Sequence, residues 1–294
     1  MNYQEFTDIL SEEIKLRGNI EGELIYSKSQ KNNGTEKQTL VIKREDSCIS
    51  PSLILDYYYN EYLDGRSISD ICESIEAIVN TQPDFSETDF SLSWDRVKDC
   101  VIFVVVNREA NKDFLNTAPH IPFLDFAIVF KIDTVFLNIA GYISITNEIL
   151  SVLKVDFKTL LEAARKNTPR LEPLRTLLLP DMIKELRGED VFVPEDLPDV
   201  LVCTNTDKNY GASCLLYDDF EEVLERELGT KDCYVIPSSI HELLLVDDED
   251  EGTREHLELM VKDVNSSDCL PETDFLSNRV YRLSEIKKAL TGSF

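Results

Sequence analysis

Residues 101–106 read Val-Ile-Phe-Val-Val-Val. The run is β-branched and aromatic, and far too short to cross a membrane, which takes about 20 apolar residues. It predicts a buried strand, so the chain must build a sheet and cover it. The longer apolar stretch 121–145 is interrupted by Asp125, Lys131, Asp133 and Asn138, and no membrane span is expected.

The segments around this strand alternate between strand-like and helical periods. Residues 3–17 predict an amphipathic helix with Phe6, Ile9, Leu10, Ile14 and Leu16 near one face. A β-hairpin follows, with strands 23–29 and 37–43 and Asn32-Asn33-Gly34 supplying the positive-φ positions of its turn. Leu53-Ile54-Leu55 is extended and leads into the Tyr57–Tyr62 cluster, read as packing rather than recognition. Ser67 caps a helix over 68–80, carried by Ile71, Ile75, Ile78 and Val79, and Gln82-Pro83-Asp84 ends it. Further helices are expected at 86–98, 109–116, 146–153 and 156–166, and strands at 123–131 and 134–145 turning at Asp133-Thr134. One more helix, 175–187, lies in a stretch punctuated by Pro169, Pro173, Pro180, Pro194 and Pro198.

The last third predicts strands 200–205 and 211–217, helix 219–228, strands 232–236 and 240–246, helix 253–265, strand 279–283 and helix 284–290. The expected fold class is therefore α+β: mixed, mostly antiparallel sheets with packed helices, and a C-terminal ββαββα module. The expected division is an N-terminal region 1–170, a Pro-punctuated connection 171–199 and a C-terminal module 200–294.

Charge narrows the partners. The 294 residues hold 30 basic and 56 acidic side chains, a net of −26, shared almost evenly between the two halves. That balance keeps a chain soluble and repels polyanions, so direct nucleic-acid binding is not expected. Seven cysteines, at 48, 72, 100, 203, 214, 233 and 269, lack any CxxC spacing and read as reduced thiols. Met1-Asn2-Tyr3-Gln4-Glu5 has neither the basic nor the apolar region of a secretory signal. A cytoplasmic location is the expectation.

The richest chemistry lies in Pro237-Ser238-Ser239-Ile240-His241-Glu242. A hydroxyl, an imidazole and a carboxylate make Ser239, His241 and Glu242 the candidate catalytic residues, with His120 or Asp125 as distant partners. On a strand, however, Ser239 and His241 would share one face and Ser238 and Glu242 the other. There is no G-x-S-x-G elbow. His241-Glu242 opens an HExxH pattern, but Leu245 stands at the second ligand position. Thr204, Asn205, Asn107 and Asp125 are the candidate ligand-binding residues. Asp247, Glu249, Glu251 and Glu258, with Gly252, follow the frame of a calcium loop. Glu at the third and fifth positions, and Arg254 at the eighth, speak against it. No metal site and no cofactor is expected.

Several blocks together resemble an uncharacterised family of gut clostridia and their relatives, a domain of unknown function. They are Lys31-Asn32-Asn33-Gly34; Ile49-Ser50-Pro51 with Tyr58, Tyr62 and Gly65; Asn107, Asn111 and Leu115; Pro119-His120 and Pro122-Phe123-Leu124-Asp125; Asn167-Thr168-Pro169; Thr204-Asn205; Gly211-Ala212; and Pro237–Glu242. The last three also look like part of a second uncharacterised bacterial family. The resemblance implies a bacterial cytosolic protein and no particular reaction. Three functions follow in order: a non-catalytic binding or interaction module with an unknown protein or small-molecule partner, a hydrolase or transferase using Ser239, His241 and Glu242, and an acidic nucleic-acid mimic. Whether the chain is an enzyme stays open at this point.

Overall fold

A computed structural model describes residues 1–44, 50, 52–81, 92–137, 141–188, 191–192, 200–247, 253–266, 270–292 and 294. It is α+β, with antiparallel sheets and packed helices. The chain forms two units, one of residues 1–31, 35–92 and 137–139 and one of 32–34, 93–136 and 140–294.

The first unit begins with α1 (Tyr3–Arg17), whose Asn2 side chain caps the Glu5 amide while Glu5 reaches back to the Asn2 amide. Gly18, at φ 63, closes it. Strands β1 (Glu23–Gln30), β2 (Glu36–Lys43) and β3 (Ser52–Ile54) make a three-stranded antiparallel sheet. Helices α2 (Leu55–Leu63) and α3 (Ile68–Thr81) complete the unit. Phe6, Leu10, Ile14, Leu40, Ile42, Leu55, Ile71, Ile75 and Val79 form its core. Two of the helical periods run wider than the buried face, because Ile9, Leu16 and Ile78 are exposed. The tyrosine cluster is helical: Tyr58 is buried, and Tyr59 and Tyr62 pack against Phe6. Gln82-Pro83-Asp84 lies outside the described residues.

In the second unit, α4 (Trp94–Val97) precedes β4 (Val101–Asn107), every residue of which is buried. The short α5 (Lys112–Leu115) leads to β5 (His120–Phe123), β6 (Phe126–Asp133) and β7 (Tyr142–Ser144). β6 pairs with β4 on one side, and with β5 and then β7 on the other. β6 and β7 thus pair antiparallel after Asp133, as expected, but their connection is longer and opens with a 3₁₀ turn, Thr134–Leu137, while a further hairpin, β5–β6, turns at Leu124, φ 48. After α6 (Asn147–Leu153), α7 (Phe157–Leu171) runs through Pro169. Its buried face explains why the proline does not stop it. Asn167 donates to the carbonyls of Lys98 and Val101, and the Thr168 hydroxyl accepts from the Phe103 amide. The Ser213 hydroxyl accepts from the Val105 amide. Two amides on the open edge of β4 are thus satisfied by hydroxyls.

A second sheet contains β8 (Leu174–Leu178), β9 (Val200–Asn205), β10 (Tyr234–Ile236), β11 (Leu243–Val246) and β12 (Tyr281–Arg282), in the order β12-β10-β11-β9-β8, all antiparallel. Helices α8 (Leu179–Arg187), α9 (Phe220–Leu228), α10 (Thr253–Asn265) and α11 (Leu283–Leu290) accompany it. Residues 175–178, expected as the start of helix 175–187, are instead paired to β9, and the helix begins at Leu179, so part of the expected connection 171–199 belongs to this sheet. Of residues 211–217, expected as a strand, Gly211–Leu216 form a 3₁₀ helix. Gly211 is pressed so hard against β9 that an added Cβ would lie 2.3 Å from both His241 O and Thr204 Oγ1. No neighbouring strand fits there.

Between α10 and β12, residues 272–277, which open with a 3₁₀ turn and join no sheet, have all six carbonyls taken. Those of Glu272, Thr273, Asp274, Phe275, Leu276 and Ser277 accept from Asn33 Nδ2, Asn32 Nδ2, Ile240 N, Asn33 Nδ2, Asn107 Nδ2 and Asn265 Nδ2, at 2.6–3.0 Å. Asn33 can serve because it sits at φ 59, a left-handed conformation that asparagine tolerates. Its Oδ1 also accepts from Asn111 Nδ2. Asn33→Gly keeps the backbone conformation and removes these three bonds, so it is expected to lower stability by about 1–3 kcal/mol. Urea unfolding checks this, and an unchanged midpoint would show that the segment does not depend on Asn33.

Candidate functional site

The residues singled out from the sequence divide into two groups. Asn107 and Asp125 serve the pinned segment. Asn107 Nδ2 holds Leu276 O while its Oδ1 accepts from the Ala110 amide, and Asp125 accepts from the hydroxyls of Ser277 and Tyr281. Thr204 and Asn205 are buried at the end of β9. Thr204 Oγ1 donates to His241 O at 2.7 Å, and Asn205 Nδ2 donates to Glu172 Oε2 and to Asn209 O. These four are positioned by the fold to hold other segments.

The Pro237–Glu242 block is a turn rather than the start of a strand, because β11 begins at Leu243. Ser238 and Ser239 both direct their hydroxyls at Glu242 Oε1, at 3.2 and 3.3 Å, contrary to the alternation a strand would impose. The Ser239 oxygen also accepts from the His241 backbone amide at 3.0 Å. No hydrogen bond joins the Ser239 hydroxyl to the His241 ring among the described residues.

That ring is engaged elsewhere. Nδ1 accepts from the Tyr210 amide at 3.3 Å, so in the neutral ring the proton sits on Nε2. Nε2 faces Asp274 Oδ1 at 3.5 Å. Burial pushes the Asp274 carboxyl up, but hydrogen bonds from His241 and Thr273 outweigh it and hold the group below its ordinary value. Asp274 belongs to the pinned segment, so the asparagine contacts indirectly fix the carboxylate that orients His241. His120 is not part of this constellation: its Nδ1 contacts Ala118 O. Of the calcium-loop residues, Glu249, Glu251 and Gly252 lie outside the described residues, and Glu258 is beside Arg254 and the Val280 amide. The free thiols of Cys214 and Cys233 are buried, which pushes both up to about 12.

The structure brings other residues to the same face. Tyr210 adopts φ 55 and ψ 24, a left-handed conformation that costs a tyrosine roughly 1–2 kcal/mol. This places its ring against His241 (centroids 6.2 Å apart) and edge-on to Tyr142 at 5.6 Å. Lys131, partly buried on β6, lays its amine 4.9 Å from the centre of the Tyr210 ring and donates to Ser144 Oγ at 3.1 Å. It makes no ion pair among the described residues. Burial lowers its pKa to about 8. Tyr142 donates to Glu172 Oε1 at 2.8 Å. Glu172 is 3% exposed, and burial, helped by the charges of Asp207 and Asp133, raises it to about 7 against the hydrogen bond from Tyr142. The space behind Tyr210, bounded by Glu172, Asn205, Ser213 and Tyr217, is too narrow for a water molecule. Lys131, Tyr210 and His241 are each only partly buried.

None of Lys131, Tyr142, Glu172, Tyr210 and Asp274 was a sequence candidate. Lys131 carried the one legible signal, a cation inside the apolar strand Phe126-Ala127-Ile128-Val129-Phe130. Among the described residues no cluster of three His, Cys, Asp or Glu side chains has the arrangement of a metal site.

A family model described as Family of unknown function (DUF5688) matches residues 3–284. No curated protein and no solved structure matches the chain.

Glu172 gives a pH prediction. A carboxyl raised from 4.5 to about 7 on folding keeps a proton that the unfolded chain has released, so its contribution to stability falls as pH rises through that window. Glu172→Gln can donate to Tyr142 and accept from Asn205, imitating the protonated acid. Its urea midpoint is expected to lack the decline between pH 4.5 and 7 that is expected of the parent chain. Parallel curves for the two proteins would remove the assignment.

Proposed function

The chain belongs to DUF5688, and we propose that it is a non-catalytic binding module that takes a small molecule on the rim formed by Lys131, Tyr210 and His241. The observation that carries this reading is the state of Lys131. In a chain with 56 acidic side chains, this partly buried amine has a hydroxyl and an aromatic face for neighbours and no carboxylate partner among the described residues. An amine over an aromatic floor suits a ligand with polar groups on a small planar frame.

The non-catalytic part rests on His241. A general base needs a free nitrogen within reach of the proton it removes. Here Nδ1 is occupied by the Tyr210 amide and the Nε2 proton faces Asp274, while the Ser239 hydroxyl is directed at Glu242. The strained Tyr210 backbone fits a binding role, because it fixes the ring before any ligand arrives. A bacterial, cytoplasmic setting is part of the proposal. It is supported by the free, buried Cys72, Cys203, Cys214 and Cys233, and by the absence, among the described residues, of any helix long and apolar enough to cross a membrane.

A fragment screen by NMR tests the reading. Hits are expected to shift the signals of Tyr210 and His241 and to be lost in Tyr210→Gly, which relieves the left-handed strain while removing the ring. Ser239 is expected to stay unlabelled by a fluorophosphonate. Labelling at Ser239 that disappears in His241→Ala would overturn the non-catalytic assignment.

A further inference from the structure

Lys131 differs from the lysines on the surface. Lys158, Lys112, Lys28 and Lys231 are largely exposed, and each lies within 4 Å of a glutamate that favours its charged form. Lys131 instead emerges from the middle of an apolar strand, opposite Ser144 on β7 and Ile102 on β4. Its amine rests over the Tyr210 ring with the Ser144 hydroxyl at 3.1 Å. A lysine desolvated in this way, with no carboxylate among the described residues to hold its proton, is a stronger nucleophile at neutral pH than a solvated one.

We propose that Lys131 anchors its ligand covalently, as a reversible imine with a small aldehyde. The inference rests on the binding site assigned above and names the ligand's reacting group. The amine first gives up its proton to solvent. Its lone pair then forms a bond to the carbonyl carbon, and the carbonyl π pair moves to oxygen, which takes up one of the two protons left on nitrogen. The resulting carbinolamine loses its hydroxyl group together with the last nitrogen proton as water, and a C=N bond is left. Nothing is oxidised or reduced, and water is the only by-product. Ser144 Oγ, at hydrogen-bond distance from the nitrogen, is placed to hold the carbinolamine hydroxyl. The depressed pKa of Lys131, about 8, favours the first step. The rings of Tyr210 and Tyr142 offer the dry, planar surroundings in which an imine resists hydrolysis.

The test uses the full chain with glyoxylate, an aldehyde bearing a carboxylate, and sodium cyanoborohydride, which reduces an imine to a stable carboxymethyl-lysine. Peptide mapping by mass spectrometry at pH 7 compares Lys131 with the exposed Lys158 and Lys112. Lys131 is expected to be modified at least about tenfold faster, because a larger fraction of its amine is neutral. Ser144→Ala is expected to slow Lys131 and leave Lys158 unchanged. Lys131→Arg, which keeps the charge but has no amine able to form the imine, is expected to leave only the slow surface reaction. Labelling of Lys131 no faster than Lys158 would overturn the inference. Two results then separate the claims. If glyoxylate without reductant still shifts the Tyr210 and His241 signals, the imine fails and ligand binding stands. If a fragment screen also leaves those signals unmoved, both fail.

Discussion

Six successive backbone carbonyls, from Glu272 to Ser277, are held by hydrogen bonds from outside their own segment, and five of the six bonds come from asparagine side chains. A segment with no helix or strand partner must satisfy its backbone some other way when it is partly buried. Asparagine suits this task, since its amide is a neutral double donor on a short stem. The arrangement converts an irregular stretch into a fixed support for Asp274. It also gives one physical reason for residues far apart in sequence: Asn32 and Asn33 at a hairpin turn, Asn107 at the end of β4, Asn265 at the end of α10, and Ile240 inside the Pro237–Glu242 turn.

The state of His241 follows from that support. Asp274 faces one ring nitrogen and the Tyr210 amide faces the other. Tyr210 can present its amide there because it accepts a left-handed conformation, and the following Gly211 fits where no Cβ would. The block that looked most like catalytic machinery is thus occupied in fixing Tyr210, and the ring of Tyr210 in turn supports Lys131 and touches Tyr142. Behind these lies Glu172, a buried acid that accepts hydrogen bonds from Tyr142 and Asn205. A chain of this acidity would be expected to neutralise a half-buried lysine with one of its many carboxylates. That Lys131 lacks one among the described residues is the feature on which the functional reading turns.

Local physics made much of the fold legible. Asn33 and Gly34 adopt φ 59 and 66, as a tight hairpin turn requires, and few other residues accept those angles. Residues 101–106 are a buried strand because nothing polar interrupts them, and 68–81 is a helix because Ile71, Ile75 and Val79 recur at its period. The misreadings are equally physical. Residues 175–178 read as the start of a helix, yet pairing with β9 overrides their local preference. Residues 211–217 have the composition of a strand, but the close approach of Gly211 to β9 and His241 leaves no room for a ladder. The site was largely hidden. Asp274, Tyr210 and Lys131 are brought together by pairings and hydrogen bonds between distant segments, and no spacing rule encodes such contacts. Lys131 was visible as a charge in an apolar run, where its meaning depended on which neighbours the sheet would supply.

The binding role proposed for this face requires His241 to be held in one tautomer by the Tyr210 amide and by Asp274. Nitrogen-15 NMR of the imidazole at a pH where it is neutral measures this directly. The account predicts a protonated Nε2 and a hydrogen-bond-accepting Nδ1, with the pattern changed when Asp274→Ala removes one partner. A ring protonated on Nδ1, or one averaging freely between the two tautomers, would contradict it and return His241 to the list of available bases.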